Sequence, residues 1–319
     1  MRGFKFQVSG FRFRVSGFGF QVSSFRFQVS SFTHYALRQS SIVNRHSSIV
    51  FTQSNLHDYL TCPRRFELRY LRHLNWPAVE TAPVQEAERR MQLGSDFHRL
   101  VHQHALGLPV AGLTAAAAEQ SPALAAMWHN YLAHRPPELA APGVRLFPEV
   151  TLSTTLAGYR LTARYDLLAF LPGEPPRALI VDWKTNARRP PSAALRAHIQ
   201  SRVYPFVLAM SGGALTGDPP DADHITLRYW FAAAPTEPET IPYSAARFQA
   251  DRADLSALLA EIAAAKTFPL TSDERACRFC AYRSFCDRGD VAGPLDEFEE
   301  DLLAEELSLD WEQVSEIAY

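Results

Sequence analysis

Two aspartates and a lysine have the residue types and spacing to do chemistry. In ALIVDWKTN, residues 178–186, a run of β-formers ends in Asp182 and Lys184 with Trp183 between them. Strand side chains alternate, so Asp182 and Lys184 share one face and Trp183 takes the other. Alone, such a pair reads as a surface ion pair. Upstream, YRLTARYDLLAFLPGEPPRALIVDWK reads as two strands joined by the turn-rich stretch from Pro172 to Arg177. Asp166 lies eight residues before Glu174 and Asp182 eight after it, so a hairpin symmetric about that loop sets the two carboxylates opposite one another. Facing like charges destabilise a sheet. A divalent cation between them turns the penalty into a binding site, because carboxylate oxygens suit Mg²⁺ or Mn²⁺. Lys184 could then orient a water or stabilise charge developing on a phosphate.

Further residues join this set. Glu149, in FPEVTLS, falls on the strand before the hairpin, and His98, in GSDFHRLVHQHA, falls on a helix ahead of it. Gln200 and Tyr204, in HIQSRVYPF, share a helical face at i and i+4. Taken singly, Glu149 reads as a surface strand residue, His98 as one of 11 histidines and Gln200–Tyr204 as a helix surface. His98 with His102 has zinc-like spacing but lacks an adjacent glutamate base.

The ordered conjunction resembles the PD-(D/E)XK nuclease superfamily, in its RecB-like branch. A helical His98, strand Glu149, strand Asp166, DWKT at 182–185 and Gln200 with Tyr204 follow that family's pattern across roughly residues 51–288. The ARYD that ends in Asp166 departs from it, since relatives often place a glycine two or three residues before the aspartate. The resemblance implies a restriction-endonuclease-like α/β fold, a mixed sheet flanked by helices. It also implies a Mg²⁺- or Mn²⁺-dependent deoxyribonuclease. Asp166 and Asp182, with Glu149 or His98, would hold the metal. Lys184 would orient the attacking water, and Gln200 and Tyr204 would contact the DNA backbone or brace the lysine. Arg188 and Arg189, directly after the motif, could reach phosphates or remain a solvated loop pair.

The chain's four cysteines are Cys62, Cys277, Cys280 and Cys286, the last three as C-x2-C-x5-C. Four thiolates make one closed site, and either tetrahedral Zn²⁺ or a [4Fe–4S] cluster would suit it. The one-plus-three arrangement, with CPRRF at Cys62, is similar to iron–sulfur nucleases of the same branch. That group includes CRISPR-associated exonucleases and a bacterial double-strand-break repair subunit. There the cluster clips the two ends of the fold together, closing a very long loop. Arg64, Arg65, Arg69, Arg275, Arg278, Arg283 and Arg288 crowd these cysteines with Phe279, Tyr282 and Phe285. They read either as a surface for single-stranded DNA or as charge balance for the cluster.

The elements that must position these groups follow from the patterning. At 47 % hydrophobic and 21 % charged, the 319 residues have a globular composition, with a net charge of −2. No run approaches the roughly 18 apolar residues of a membrane helix, and the N-terminus lacks a continuous apolar signal core. No membrane association and a reducing cytoplasmic location are therefore expected. FKFQVSG-FRFRVSG-FGFQVSS-FRFQVSS repeats with a period of seven over residues 4–31. An odd period flips the strand face at each repeat, so residues 1–48 are expected to be an extension outside the fold. The nuclease domain is expected over 49–290, and an acidic helical tail, a solvated face or a protein-partner segment, over 291–319. Helices are expected from Phe51 with Ser54 as N-cap, over 85–106, through an Ala-rich region to about 139, over 193–210 and over 247–266. A β-rich core is expected over 146–184, with a further strand from Ile225.

The function expected is hydrolysis of DNA phosphodiesters, by an exonuclease on single-stranded ends in DNA repair, recombination or CRISPR-type defence. The other readings are an idle iron–sulfur nucleic-acid-binding module and a zinc-stabilised interaction protein.

Overall fold

The structure, a computed structural model, describes residues 49–74, 82–278 and 280–289, with backbone alone over 82–88. The repeat-bearing extension, the acidic tail and Phe279 lie outside the described residues.

The chain enters through strand β1 (Val50–Thr52) and helix α1 (Gln53–Thr61). The N-cap is Thr52 rather than Ser54. Thr52 and Asn55 close a reciprocal capping box, each side chain accepting the other's backbone N–H. Ser54 instead lies inside the helix and receives the Gln53 side chain. The helix expected from Phe51 breaks at Cys62, whose backbone is extended, and restarts as α2 (Pro63–Phe66) with proline in the first turn. Helices α3 (Ala82–Ala105), α4 (Val110–Gln120) and α5 (Pro122–His134) follow. The meander is β2 (Arg145–Leu156), β3 (Tyr159–Leu171) and β4 (Arg177–Lys184). Then come α6 (Ser192–Ala197), α7 (Gln200–Ser211), α8 (Gly213–Thr216), β5 (Ile225–Phe231), β6 (Glu239–Pro242) and α9 (Ala245–Ala264).

The sheet is mixed, in the order β1-β3-β4-β5-β6, with β2 on the other side of β3. β1 pairs in parallel with Arg160–Thr162, whereas β4 pairs antiparallel with Leu167–Leu171. These two strands therefore lie end to end along one flank of β3. Residues 163–166 between them have no ladder partner on that flank, and the candidate site forms at this gap.

Helices cover both faces. On one, Leu56, Val203, Phe206, Leu255 and Leu259 pack with Ile180 and Leu227. On the other, Phe97, Leu124, Trp128 and Tyr131 pack with Leu179, Val181, Trp183 and Trp230. β4 is buried on both sides from Ala178 onward, which is why it reads as a continuous apolar run. Each large apolar side chain so buried contributes about 1.5–3 kcal/mol, and several of them offset the cost of holding Asp182 and Lys184 in the same strand. Among the described residues no helix is long and apolar enough to cross a membrane.

Candidate active site

The hairpin is symmetric as its sequence suggests. Its ladder pairs Leu171 with Arg177 and closes at Leu167 with Val181, so the next positions outward are Asp166 and Asp182. There the strands part, and Asp166 Oδ2 takes the backbone N–H of Trp183 at 2.8 Å. On the other side of β3, Pro148 pairs with Leu167 and Val150 with Tyr165, which sets Glu149 opposite Asp166. Glu149 has φ of 50°, a left-handed conformation uncommon for a residue with a side chain.

The same point marks a change of face. Before Asp166 the odd residues Leu161, Ala163 and Tyr165 enter the first core; beyond it the even residues Leu168 and Phe170 do. Beyond it the odd Leu167, Ala169 and Leu171 enter the second core instead. β2 does likewise: Phe147 packs on the first core before Glu149, and Val150 and Leu152 after it. The two carboxylates occupy the crossover, where neither core claims them.

α3 delivers the third group. Gly94 lies so close to β4 that an added Cβ would stand 2.8 Å from Thr185 Oγ1, and His98 follows one helical turn later on the same face. Phe97 beside it stacks on Trp230, 6.0 Å between ring centroids. Trp183 packs against Trp230 and Tyr131 on that side, so it anchors the face of β4 opposite Asp182 and Lys184. His98 Nδ1 then stands 3.5 Å from Asp166 Oδ1. One ligand atom each from His98, Glu149 and Asp166 fall within 4.8 Å of one another. An imidazole nitrogen with two carboxylate oxygens is a donor set that fits a divalent cation such as Mg²⁺ or Mn²⁺. Arg164 donates Nε and Nη2 to Glu149 Oε2 at 3.1 and 2.9 Å.

Asp182 and Lys184 form a second, drier cluster, 2 % and 3 % exposed. Lys184 Nζ lies 2.9 Å from Asp182 Oδ2 as an ion pair. Gln200 ties the two together: its Nε2 donates to Asp182 Oδ1 at 2.7 Å, and its Oε1 accepts from Lys184 at 3.4 Å. Tyr204, one turn along α7 on the same face as Gln200, is also buried, and Tyr165 donates to the Tyr204 carbonyl at 2.9 Å. Gln200 and Tyr204 are thus buried and turned onto the lysine rather than laid out on a helix surface. Lys184 also sits over the Tyr229 ring at 5.5 Å.

The two aspartates are driven apart electrostatically. Burial pushes Asp182 up to about 6, with the Asp166 charge adding to it against the pull of Lys184. Asp166 is also raised by burial, but His98, the Trp183 N–H and Lys184 outweigh that and leave it below its ordinary value. A carboxylate held ionised beside one that titrates near neutrality is an acid–base arrangement.

Arg189 does not reach outward. It is engaged by Glu239 and Ser192 and by the Glu237 carbonyl. Near the cysteines, Arg65 and Arg69 pair with Asp58, Arg64 with Glu67, Arg275 with Asp273 and Arg288 with Glu274. All five pair with nearby carboxylates, the Asp58 and Glu67 pairs partly buried and the Arg275–Asp273 pair exposed. The two ends of the domain do meet: Arg64 N–H donates to the Pro269 carbonyl at 3.1 Å and Tyr282 to the Leu74 carbonyl at 2.9 Å. The four cysteines are free thiols. Burial raises Cys277 and Cys286, and each also feels Cys62 as an electrostatic neighbour. Cys277 borders a cavity of about 840 Å³ whose charged lining is mixed, with Arg275, Arg278, Arg283 and Arg288 alongside Asp273, Glu274 and Asp287.

The sequence profile of the PD-(D/E)XK nuclease superfamily matches residues 50–287. The chain belongs to that superfamily. The match spans the whole sheet together with His98, Glu149, Asp166, Asp182, Lys184 and all four cysteines. Among solved structures, a candidate exonuclease from Eubacterium rectale aligns over 83 % of this chain and 96 % of its own, at 11 % identity and a TM-score of 0.44. The protein SSO0001 aligns over 75 % and 86 %, at 13 % identity and a TM-score of 0.34. No curated protein matches. Superfamily membership brings nucleic acid as the substrate class and divalent metal as the usual cofactor, in keeping with the donor set found here.

Proposed function

We propose that the chain is a Mg²⁺- or Mn²⁺-dependent deoxyribonuclease that hydrolyses phosphodiester bonds. The observation that carries this reading is the meeting of His98, Glu149 and Asp166 beside the Lys184–Asp182–Gln200 cluster. His98, Glu149 and Asp166 would hold the ion, with Asp182 adjoining them across the parted hairpin. A bound ion of this kind polarises a phosphoryl oxygen and lowers the pKa of a coordinated water.

The chain's own residues do the remaining work. In hydrolysis the water oxygen forms a bond to phosphorus as the bridging P–O bond breaks, and negative charge gathers on the non-bridging oxygens. Lys184, the single cation of the dry cluster, stabilises that charge. Gln200 holds the ammonium in place and is itself held by Asp182, so little reorganisation is needed when the charge develops. Asp182, ionised above about pH 6, takes up proton and charge changes beside the lysine.

The finer reading is an exonuclease on single-stranded ends, cytoplasmic, in DNA repair, recombination or CRISPR-type defence. A [4Fe–4S] cluster on Cys62, Cys277, Cys280 and Cys286 would clip the domain's ends together. It rests on the cysteine spacing and on the approach of the two ends at Pro269 and Leu74. Anaerobic purification tests it, with iron and zinc assayed and end-labelled single- and double-stranded DNA incubated with Mn²⁺. The expected result is about four irons per chain and Mn²⁺-dependent release of nucleotides that Lys184→Ala abolishes. A colourless zinc protein removes the cluster, and a protein inert on every DNA in Mn²⁺ removes the nuclease.

A further inference from the structure

His198 carries a buried donor that nothing above employs. It sits between α6 and α7, two residues before Gln200, at the break that splits one expected helix into two. The backbone N–H of Gln200 donates to His198 Nδ1 at 3.3 Å. A neutral imidazole has one acceptor and one donor nitrogen, so this bond assigns the hydrogen to Nε2. Burial, with His57 and Lys184 nearby, lowers the His198 pKa to about 3, so the ring is neutral at physiological pH.

The ring is also fixed in place. His57 of α1 packs against it with centroids 5.0 Å apart, and His57 Nε2 is itself 3.1 Å from Thr61 Oγ1. His198 Nε2 is buried and has no hydrogen-bond partner among the described residues. Buried donors are almost always paired, so one that is held in a single tautomer and left open marks a place for an acceptor. Two further observations point to Lys184 as the centre of that place. Gln200 joins the two, its backbone N–H on His198 Nδ1 and its side-chain Oε1 accepting from Lys184, and the Lys184 charge adds to the lowering of the imidazole's pKa. Asn186, two residues beyond Lys184 and 2 % exposed, leaves both side-chain amide atoms unpaired.

We propose that His198 is a further binding residue for the nucleic-acid substrate, its Nε2–H donating to a non-bridging oxygen of the phosphate that Lys184 engages. Asn186, two residues beyond Lys184, offers a second neutral donor, and His57 is the brace that holds the ring. One ammonium with neutral N–H groups fits a phosphodiester, whose single negative charge Lys184 already balances while its oxygens still need donors. The assignment rests on the nuclease reading and adds to it a residue outside the ordered motif.

Two substitutions separate the donor from mere packing. An asparagine side chain reaches only the Nδ1 position, so His198→Asn keeps the acceptor for Gln200 and loses the Nε2 donor. A glutamine amide reaches the Nε2 position, so His198→Gln restores it. Cleavage rates are compared on DNA carrying oxygen or sulfur at the non-bridging position of one linkage, with thermal unfolding of each protein alongside. His198→Asn is expected to lower the rate on the oxygen substrate by about tenfold or more and that on the sulfur substrate far less, because sulfur accepts hydrogen bonds poorly. His198→Gln is expected to recover most of that loss. A folded His198→Asn protein with the wild-type oxygen-to-sulfur ratio overturns the assignment and leaves the nuclease reading standing. Wild-type protein inert toward both DNAs in Mn²⁺ overturns the nuclease reading itself, and the assignment with it.

Discussion

Gly94 and Thr185 lie in contact so close that a single methyl on the glycine would press on the threonine hydroxyl at 2.8 Å. That contact sets the distance between α3 and the end of β4, and His98 one turn further along inherits it. Gly94→Ala is therefore expected to push α3 away and to draw His98 off Asp166. Cleavage should fall about tenfold or more, since small misplacements at a reacting centre are costly. Thr185→Ala removes the obstructing oxygen, so Gly94→Ala/Thr185→Ala should regain most of what Gly94→Ala loses. A double variant no better than the single one would show that the helix is held elsewhere.

The three-ligand group can be read without any substrate. A ligand that binds only the folded protein stabilises it by about 2.7 kcal/mol at one hundred times its dissociation constant. Mn²⁺ should accordingly raise the unfolding midpoint, and Glu149→Gln or Asp166→Asn should erase the increment. Arg164 orients Glu149 from outside the group. Arg164→Ala should weaken Mn²⁺ binding by about 10- to 100-fold, the usual cost of losing a partner that orients a ligand. Calorimetric titration with Mn²⁺ checks all three.

How much of this was legible in the sequence differs from residue to residue. The hairpin symmetry that pairs Asp166 with Asp182, the opposite facing of Trp183 and the Gln200–Tyr204 spacing all follow from strand and helix periods. Glu149 was visible as a residue type, but its left-handed backbone was not, because no glycine or asparagine marks the position. The face change at Glu149 and Asp166 switches the apolar positions of both strands, so one period cannot describe either strand from end to end. β1 and β6 are three and four residues long, too short for alternation to show. Arg164, His57 and His198 became visible only once residues far apart in sequence were brought together. The resemblance to iron–sulfur nucleases implied that the domain's ends approach each other, and Arg64 with Pro269 and Tyr282 with Leu74 are contacts between them.

Lys184 is expected to be indispensable to the chemistry and nearly neutral to stability. Replacing it with methionine removes a desolvated cation and leaves Asp182 free to protonate, which limits the cost of an unpaired buried charge. Activity should fall at least about 100-fold, the scale set by losing one preorganised charge-stabilising group. Gln200→Leu keeps the cation but releases it, and should lower kcat while leaving the affinity for Mn²⁺ close to that of the parent. Single-turnover cleavage alongside Mn²⁺ titration separates the two effects, and equal losses of rate and metal affinity in Gln200→Leu would contradict a role confined to the lysine.

Acid sensitivity should come from the packed histidines His57 and His198. Burial lowers His57 to about 4 and His198 to about 3, against about 6.5 for an unperturbed imidazole. For a group depressed in the folded state, the unfolded chain binds the extra proton between the two values. Stability from this source is therefore complete above about pH 6.5 and is lost as pH falls toward 4 and then 3. At pH 5 the unfolded pKa lies about 1.5 units higher, worth about 2 kcal/mol per histidine. Urea unfolding at pH 7 and pH 5, with metal absent, should show that decline for the parent. His57→Phe, which keeps a ring against His198 and removes one proton site, should show about half of it. An unchanged pH slope in His57→Phe would place the acid sensitivity with other groups.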